Sequence, residues 1–163
     1  FEFVRDEIPH SWDIKNEEIS IYASKSLENK AGMCYEKSIL FAALLRSQGI
    51  PTGFCYQRLT LGETDEYGYC IHALNAVYIS ENEKWIRLDA RGNKPGVNAQ
   101  FSLEKELLAF PIRPQYDEID YPTVYIEPLE ITISILESNT NCIEMIEHHL
   151  PEKIKKNKKP VIL

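Results

Sequence analysis

Three side chains of the sequence, Cys34, His72 and Asp89, are of the types that together carry out nucleophilic catalysis. Such catalysis needs a thiol held as a thiolate, an imidazole that accepts and returns the proton, and a third group that orients the imidazole. Cys34 lies at the predicted start of a helix, where unpaired backbone N–H groups and the helix dipole favour the thiolate. The residue types therefore point to acyl transfer through a thioester. The alternative is that Cys34 is an inert thiol of the core.

His72 and Asp89 are expected on neighbouring strands. The alternation of side chains along YCIHALNAVY places His72 on one face of a strand, and WIRLDARGN places Asp89 at the end of the next strand. The short turn SENE joins the two strands, so the carboxylate can meet an N–H of the imidazole. A hydrogen-bonded core histidine and an aspartate that caps a turn are the alternatives to a catalytic pair.

The hydrophobic pattern predicts an α+β fold in which helices pack against one side of an antiparallel sheet. The strongest prediction is a helix from Met33 or Cys34 to Gln48, which has a broad apolar face and stops at Gly49, just before Pro51. Three strand-like segments follow it, joined by hairpin connections. In chain order, the predicted elements are a strand or extended arm at 1–14, helices at 16–27 and 33–48, strands at 52–60, 70–79 and 84–89, a short helix at 103–108, an edge strand at 121–126, and helices at 129–136 and 140–150.

The composition is that of a globular protein with an acidic charge balance. Of the 163 residues, 44% are hydrophobic and 26% are charged, and the formal net charge is −7. This charge argues against a nucleic-acid-binding surface, which needs clustered Lys and Arg. The basic run KIKKNKK at 153–159 is interpreted as a solvated tail or as a docking site for an acidic partner. No stretch approaches the ~20 apolar residues of a membrane span and no signal peptide is visible, so we expect a cytoplasmic protein with no membrane partner.

The four cysteines are unevenly spaced and too few to staple a chain of this length, so we expect reduced thiols. Cys70 and His72 form a C-x-H pair, and Cys55 lies on a neighbouring predicted strand. No second compact pair of ligands accompanies them, however, so we expect no zinc or other metal site.

The sequence also resembles a known family in three ordered motifs. The run GMCYEKSILFAALLRSQGIPTGFCYQRL resembles the nucleophile helix of the transglutaminase-like superfamily, IHALNAVYI resembles its His strand, and KWIRLDARGN resembles its Asp strand. The resemblance covers about residues 8–128. It implies that Cys34 is the nucleophile, that His72 is the general base and acid, and that Asp89 orients His72. It also implies a papain-like fold, with the nucleophile helix packed on an antiparallel sheet.

The resemblance implies chemistry more firmly than substrate, because the superfamily includes cross-linking enzymes, proteases, amidases and deglycosylating enzymes. We expect a catalytic domain at 1–128, flanked by a C-terminal helical extension at 129–163. The expected activity is hydrolysis of a peptide or side-chain amide in a peptide or protein substrate, without a cofactor. A cross-linking transamidase and a non-catalytic binding module with this fold are the alternatives. The sequence does not predict the oligomeric state.

The oxyanion of an acyl-transfer intermediate needs hydrogen-bond donors, and the backbone N–H of Cys34 is the natural first one. Members of the family usually add a side-chain donor from upstream of the nucleophile, for which Trp12, His10 and Asn29 are the candidates. Tyr56 and Gln57, which follow the Gly-Ile-Pro turn, are candidates for lining a substrate groove. A half-exposed strand would explain these two residues equally well.

Overall fold

A computed structural model describes residues 1–154 of the chain. The basic run at 153–159 lies outside the described residues except for its first two members. The elements are, in chain order, α1 (Glu2–Glu7), α2 (Ser11–Ile14), α3 (Ala23–Asn29), α4 (Cys34–Ser47), β1 (Thr52–Thr60), β2 (Tyr69–Ile79), β3 (Lys84–Leu88), β4 (Ile119–Asp120), α5 (Glu130–Glu137) and α6 (Cys142–His148). The strands form one antiparallel sheet in the order β3-β2-β1-β4. The predicted α+β class with an antiparallel sheet is therefore confirmed.

The long helix α4 begins at Cys34, as the sequence predicts, and ends where Gly49 adopts the left-handed conformation with φ of 74°. A side chain is strained in that conformation, so glycine is the natural residue after the last turn. The apolar side of α4 packs on the face of β1 and β2 that carries Phe54 and Ala73. The predicted contact between the nucleophile helix and the sheet is thus present.

The pairing of the three long strands determines where β2 is open. β1 and β2 pair along their whole length, from Thr52 opposite Val77 to Thr60 opposite Tyr69. β3 pairs only with the second half of β2, because its last residue, Leu88, lies opposite Asn75. The first half of β2 is therefore not covered by β3 on that side.

The predicted strand or extended arm at 1–14 is wrong, because this segment forms α1 and α2. Val4 and Ile8 are four residues apart and both are 1% exposed, whereas Phe3 is 48% exposed. This is the spacing of one helix face. The predicted helix at 16–27 begins only at Ala23, because the preceding residues run past the start of α4, where the N–H of Ser20 donates to the carboxylate of Glu36.

The region after β3 differs from prediction in two places. Residues 103–108 form no helix; the loop closes instead through a hydrogen bond from Gln100 N–H to the carbonyl of Leu107. The predicted edge strand at 121–126 is formed only in part. The ladder with β1 lies at Ile119–Asp120, and Tyr125 adds an isolated antiparallel bridge to Phe54. Pro122, which has no N–H, separates the two.

The C-terminal helices α5 and α6 pack into the main hydrophobic cluster of the protein. Leu136 of α5 and Met145 of α6 are almost completely buried, in the cluster that also contains Met33, Cys34 and Tyr35. The start of α4 therefore packs against residues from the C-terminal part of the described chain.

Candidate active site

The site is organised around the first turn of α4, where Cys34 is the first helical residue. The carboxylate of Glu36 reaches back and accepts the N–H groups of Met33 at 2.9 Å and of Ser20 at 2.6 Å. It thereby satisfies a donor that a helix start leaves without an intrahelical partner. Gly32 passes so close that an added Cβ would lie 2.9 Å from the Cβ of Glu36. This close approach explains the glycine two residues before the thiol.

His72 and Asp89 form a buried pair, with His72 Nε2 2.8 Å from Asp89 Oδ2. The two residues are 4% and 1% exposed. The carboxylate also accepts the backbone N–H groups of Arg91 at 3.1 Å and of Ala109 at 3.2 Å. These additional bonds hold Asp89 in place, so its orientation fixes that of the imidazole.

Cys34 meets His72 at the open edge of β2. The hydroxyl of Tyr35, the residue after the thiol, donates to the carbonyl of Ile71 at 2.7 Å, which anchors the start of α4 to this edge. Because β3 ends opposite Asn75, no strand separates the helix start from His72. Cys34 and His72 line the same cavity, and the Cys34 thiol is among the groups that raise the pKa of His72.

The electrostatics of the site favour a protonated His72. Burial alone would lower the pKa of His72, but the charge and hydrogen bond of Asp89, together with the Cys34 thiol, raise it to about 10. Burial would raise the pKa of Asp89, yet its interactions with His72 hold that pKa below the usual range. Asp89 therefore holds His72 as a positively charged group in the same cavity as Cys34.

A second thiol, that of Cys70, lies in the same cavity and must be distinguished from Cys34. Burial raises the pKa of Cys70 to about 12, so this thiol stays protonated near neutral pH. A protonated thiol is a poor nucleophile. Cys34, which has the imidazole beside it, is therefore the candidate nucleophile of the two.

Cys34 and His72 open into a cavity of about 1130 Å³. One wall comes from the end of β1 and the loop that follows it, and includes Leu59 and Leu61. A second wall comes from the loop after β3, in which the ring of Phe110 lies edge-on to the imidazole at 5.2 Å between centroids. Residues 146–148 and Leu150, in and after α6, contribute a third wall. The cavity is large enough for a segment of a peptide.

The predicted donors and groove residues are placed as follows. His10 and Trp12 line the cavity, whereas Asn29 ends α3 and is not among the lining residues. The prediction that Tyr56 and Gln57 line a groove is wrong, because each is 1% exposed and neither reaches the cavity. Tyr56 is instead buried in the main cluster, where its hydroxyl accepts the N–H of Leu129 at the start of α5 at 2.9 Å.

Two groups of site residues were missed at the level of the sequence. Phe110 and the α6 residues follow segments without a clear motif, so no local signal connects them with Cys34. The sequence could have identified Arg91 as a site residue, because it lies two residues after Asp89. It is 6% exposed and binds Asp13 through two hydrogen bonds of 2.5 and 3.1 Å.

Two further properties of the described part of the chain concern possible ligands and location. Within residues 1–154, no three His, Cys, Asp or Glu side chains are grouped so that they could hold a metal ion. None of the helices in that range is long and apolar enough to cross a membrane.

Comparison with known proteins gives the following matches. The family model of the transglutaminase-like superfamily matches residues 1–90, a range that contains Cys34, His72 and Asp89. A solved structure described as the crystal structure of a TGase is 21% identical, with a TM-score of 0.40. That alignment covers 63% of this chain but only 27% of the TGase chain. No curated protein matches the sequence.

Proposed function

Because this chain belongs to the transglutaminase-like superfamily, we propose that it is a cysteine-dependent acyltransferase that hydrolyses a peptide or side-chain amide. The observation that carries the proposal is the buried His72–Asp89 pair, 2.8 Å apart, beside Cys34 at the start of α4. The packing of this helix on an antiparallel sheet supports a papain-like arrangement of the three residues.

In the proposed reaction each atom of the site has a separate task. His72 uses Nε2 to bind Asp89, so Nδ1 is the ring nitrogen that exchanges a proton at the nucleophile. The Cys34 thiolate attacks the carbonyl carbon, and the electron pair of the C=O bond moves to the oxygen. The N–H of Cys34, at the helix start, donates to this oxyanion. When the C–N bond breaks, His72 gives its proton to the departing amine and a thioester remains.

The second half of the reaction reverses these roles. His72, now neutral, removes a proton from a water molecule, whose oxygen attacks the thioester carbonyl. The C–S bond breaks, the carboxylic acid leaves, and the Cys34 thiolate forms again beside the imidazolium. An amine in place of water would form a new amide, so adding an amine to the assay distinguishes hydrolysis from transamidation.

The hydrogen bonding of the His72 ring favours an enzyme over a non-catalytic binding module. A buried histidine of the core needs one partner for each polar nitrogen, and Asp89 serves only Nε2. The other nitrogen is left to the thiol side of the ring, where a proton shuttle requires it. A binding function would not need a thiol at this place.

Alkylation of Cys34 by iodoacetamide tests the assembly of the pair. We expect alkylation of Cys34 at about pH 7 to be faster than that of Cys70, whose buried thiol stays protonated. His72→Ala should remove the fast reaction, because the stabilising imidazolium is lost. His149→Ala is the matched control, because this histidine is exposed and binds Asn139 outside the cavity.

Turnover is tested by incubating the protein with a mixture of peptides and identifying hydrolysed amides by mass spectrometry, with Cys34→Ala as the blank. Products that depend on Cys34 would support the proposal. Fast alkylation without any such product, across backbone and side-chain amides, would contradict the hydrolytic assignment. Slow alkylation that is indifferent to His72 would contradict the catalytic one.

A further inference from the structure

The cavity is lined by a second histidine, His10, which has no role in the proposed reaction. Two backbone hydrogen bonds flank it, from Ser11 N–H to the Gly32 carbonyl at 3.2 Å and from Gly32 N–H to the Pro9 carbonyl at 3.3 Å. His10 therefore lies directly beside the segment that leads into Cys34, two residues further on. Its side chain lines the same cavity as Cys34 and His72.

One nitrogen of the His10 ring already accepts a backbone hydrogen bond. Nδ1 accepts the backbone N–H of Trp12 at 3.3 Å, so His10 caps the short helix α2. A nitrogen that accepts a hydrogen bond carries no proton, and the neutral ring must then carry its proton on Nε2. Within residues 1–154, no atom forms a hydrogen bond with Nε2.

The surroundings keep this ring neutral. Burial, and next the positive charge of Arg91, hold the pKa of His10 well below its usual range, and the positive groups of Lys37 and His72 act in the same direction. Asp13 opposes them, but its carboxylate is already bonded to Arg91 and Lys94. His10 is thus a fixed donor and not a second proton shuttle.

We propose that His10 Nε2–H is the second oxyanion donor of the site, acting with the backbone N–H of Cys34. The inference rests on the proposed function, because it needs a tetrahedral oxyanion at Cys34. Such a donor must be oriented before the reaction, and the Trp12 N–H orients the His10 ring. Two donors from adjacent segments, bridged through Gly32, then converge on one oxygen.

Two reactions at Cys34 separate oxyanion binding from thiol reactivity. Acylation by p-nitrophenyl acetate passes through a tetrahedral oxyanion, breaks the ester C–O bond and releases p-nitrophenolate. Alkylation by iodoacetamide is a displacement of iodide at a saturated carbon and forms no oxyanion. A residue that only positions the thiol affects both rates, whereas an oxyanion donor affects acylation alone.

Two substitutions separate the two nitrogens of His10. Asn places an oxygen where His10 has Nδ1 and no atom at Nε2, and Asn is itself a favoured cap, so α2 should form. Gln places an N–H close to the position of Nε2. We expect His10→Asn to slow acylation by about 10²–10³-fold with alkylation unchanged, and His10→Gln to recover at least about tenfold of that loss.

Other results would overturn the inference. These are equal acylation of His10→Asn and the unaltered protein, an equal loss in both reactions, and no difference between the Asn and Gln variants. Loss of acylation in Trp12→Phe alone would assign the donor to the indole N–H instead. If the unaltered protein itself is alkylated but never acylated, the proposed function fails and this inference fails with it.

Discussion

At the scale of single residues, the most informative group is the Asp89 carboxylate. It accepts three hydrogen bonds, two from backbone N–H groups and one from His72. The backbone donors come from Arg91 and Ala109, on either side of the loop that follows β3. The third member of the proposed triad is thus fixed by the loop as well as by the sheet.

Asp89→Asn is expected to disable Cys34. An amide cannot supply the negative charge that raises the pKa of His72, so this pKa should fall and the imidazolium should be lost near neutral pH. We expect alkylation of Cys34 at about pH 7 to slow by about 10²-fold or more. Stopped-flow alkylation with mass-spectrometric assignment of the modified cysteine measures this rate.

The matched control for that experiment is Asp120→Asn. Asp120 also binds a cationic side chain, that of Arg87, at 2.6 Å, but it lies outside the cavity. Its substitution should leave the alkylation rate as it is. A normal rate in Asp89→Asn would show that the carboxylate does not act on His72.

At the scale of elements, the start of α4 depends on one buried acid. Met33, at the cap position, has no side-chain oxygen, and Glu36 supplies the missing acceptor from within the helix. The same carboxylate fixes the extended segment before α3 through Ser20. Burial raises the pKa of Glu36 to about 7.

Glu36→Gln is expected to lower the free energy of unfolding by about 1–3 kcal/mol. Each of the two carboxyl oxygens accepts one buried N–H, whether or not the group is protonated, whereas the amide of Gln has one accepting oxygen and an NH2 group. The raised pKa of Glu36 determines the pH dependence. A group with a raised folded-state pKa contributes its full stability below its unfolded value of 4.5, and this contribution is lost as the pH rises through about 7. The difference in the free energy of unfolding between the unaltered protein and Glu36→Gln should therefore be largest near pH 4.5 and smaller above pH 7.

Urea unfolding at several pH values measures this gap, and Glu28→Gln on the exposed side of α3 is the control. The control should show no pH-dependent difference of this kind. A gap that widens as the pH rises from 4.5 would mean that the Glu36 carboxylate is stabilised by its two donors more than burial destabilises it.

The elements that carry the proposed triad were the ones the sequence predicted best. Helix α4 has a long periodic apolar face and a glycine stop, and β1 to β3 have clear alternation, so their bounds were predicted to within a residue or so. These signals are local. The helical spacing of Val4 and Ile8 spans little more than one turn, and the alternating Phe1 and Phe3 concealed it.

The parts that were not predicted depend on contacts between distant segments. Whether Tyr56 is exposed depends on α5, whose preceding residue, Leu129, donates its N–H to the Tyr56 hydroxyl from 73 residues further along the chain. The position of Phe110 depends on the hydrogen bond between Ala109 and Asp89. Neither contact leaves a periodic pattern in the sequence.

At the scale of the whole molecule, the family match ends at residue 90, but the candidate site does not. The loop at 109–113 and the end of α6 form two walls of its cavity. The backbone N–H of Ile71 also donates to the carbonyl of Pro151 at 2.9 Å, so the segment after α6 occupies part of the edge that β3 leaves open.

Met145→Ala is expected to destabilise the entire chain and not α6 alone. Met145 is 0% exposed and shares a cluster with Met33 and Cys34, so its truncation leaves a cavity beneath the start of α4. We expect a loss of about 2–5 kcal/mol in the free energy of unfolding. Tryptophan fluorescence and far-ultraviolet circular dichroism, followed together in urea, measure this loss.

The two signals should change in one coincident transition, because a shared core unfolds as a unit. Glu144→Ala, a neighbouring substitution outside the buried cluster, should leave the transition midpoint nearly unchanged. Two separate transitions in Met145→Ala would show instead that α5 and α6 unfold independently of the sheet.

The contact between Ile71 and Pro151 has a consequence for the synthesis of the protein on the ribosome. A ribosome releases α4 and the sheet before α6 exists, so during translation the surface around Cys34 and the edge of β2 stay uncovered. The proposed active site can be completed only after residue 151 has emerged from the exit tunnel. A nascent chain stalled before that point would carry all three residues of the proposed triad and yet lack a finished catalytic cavity.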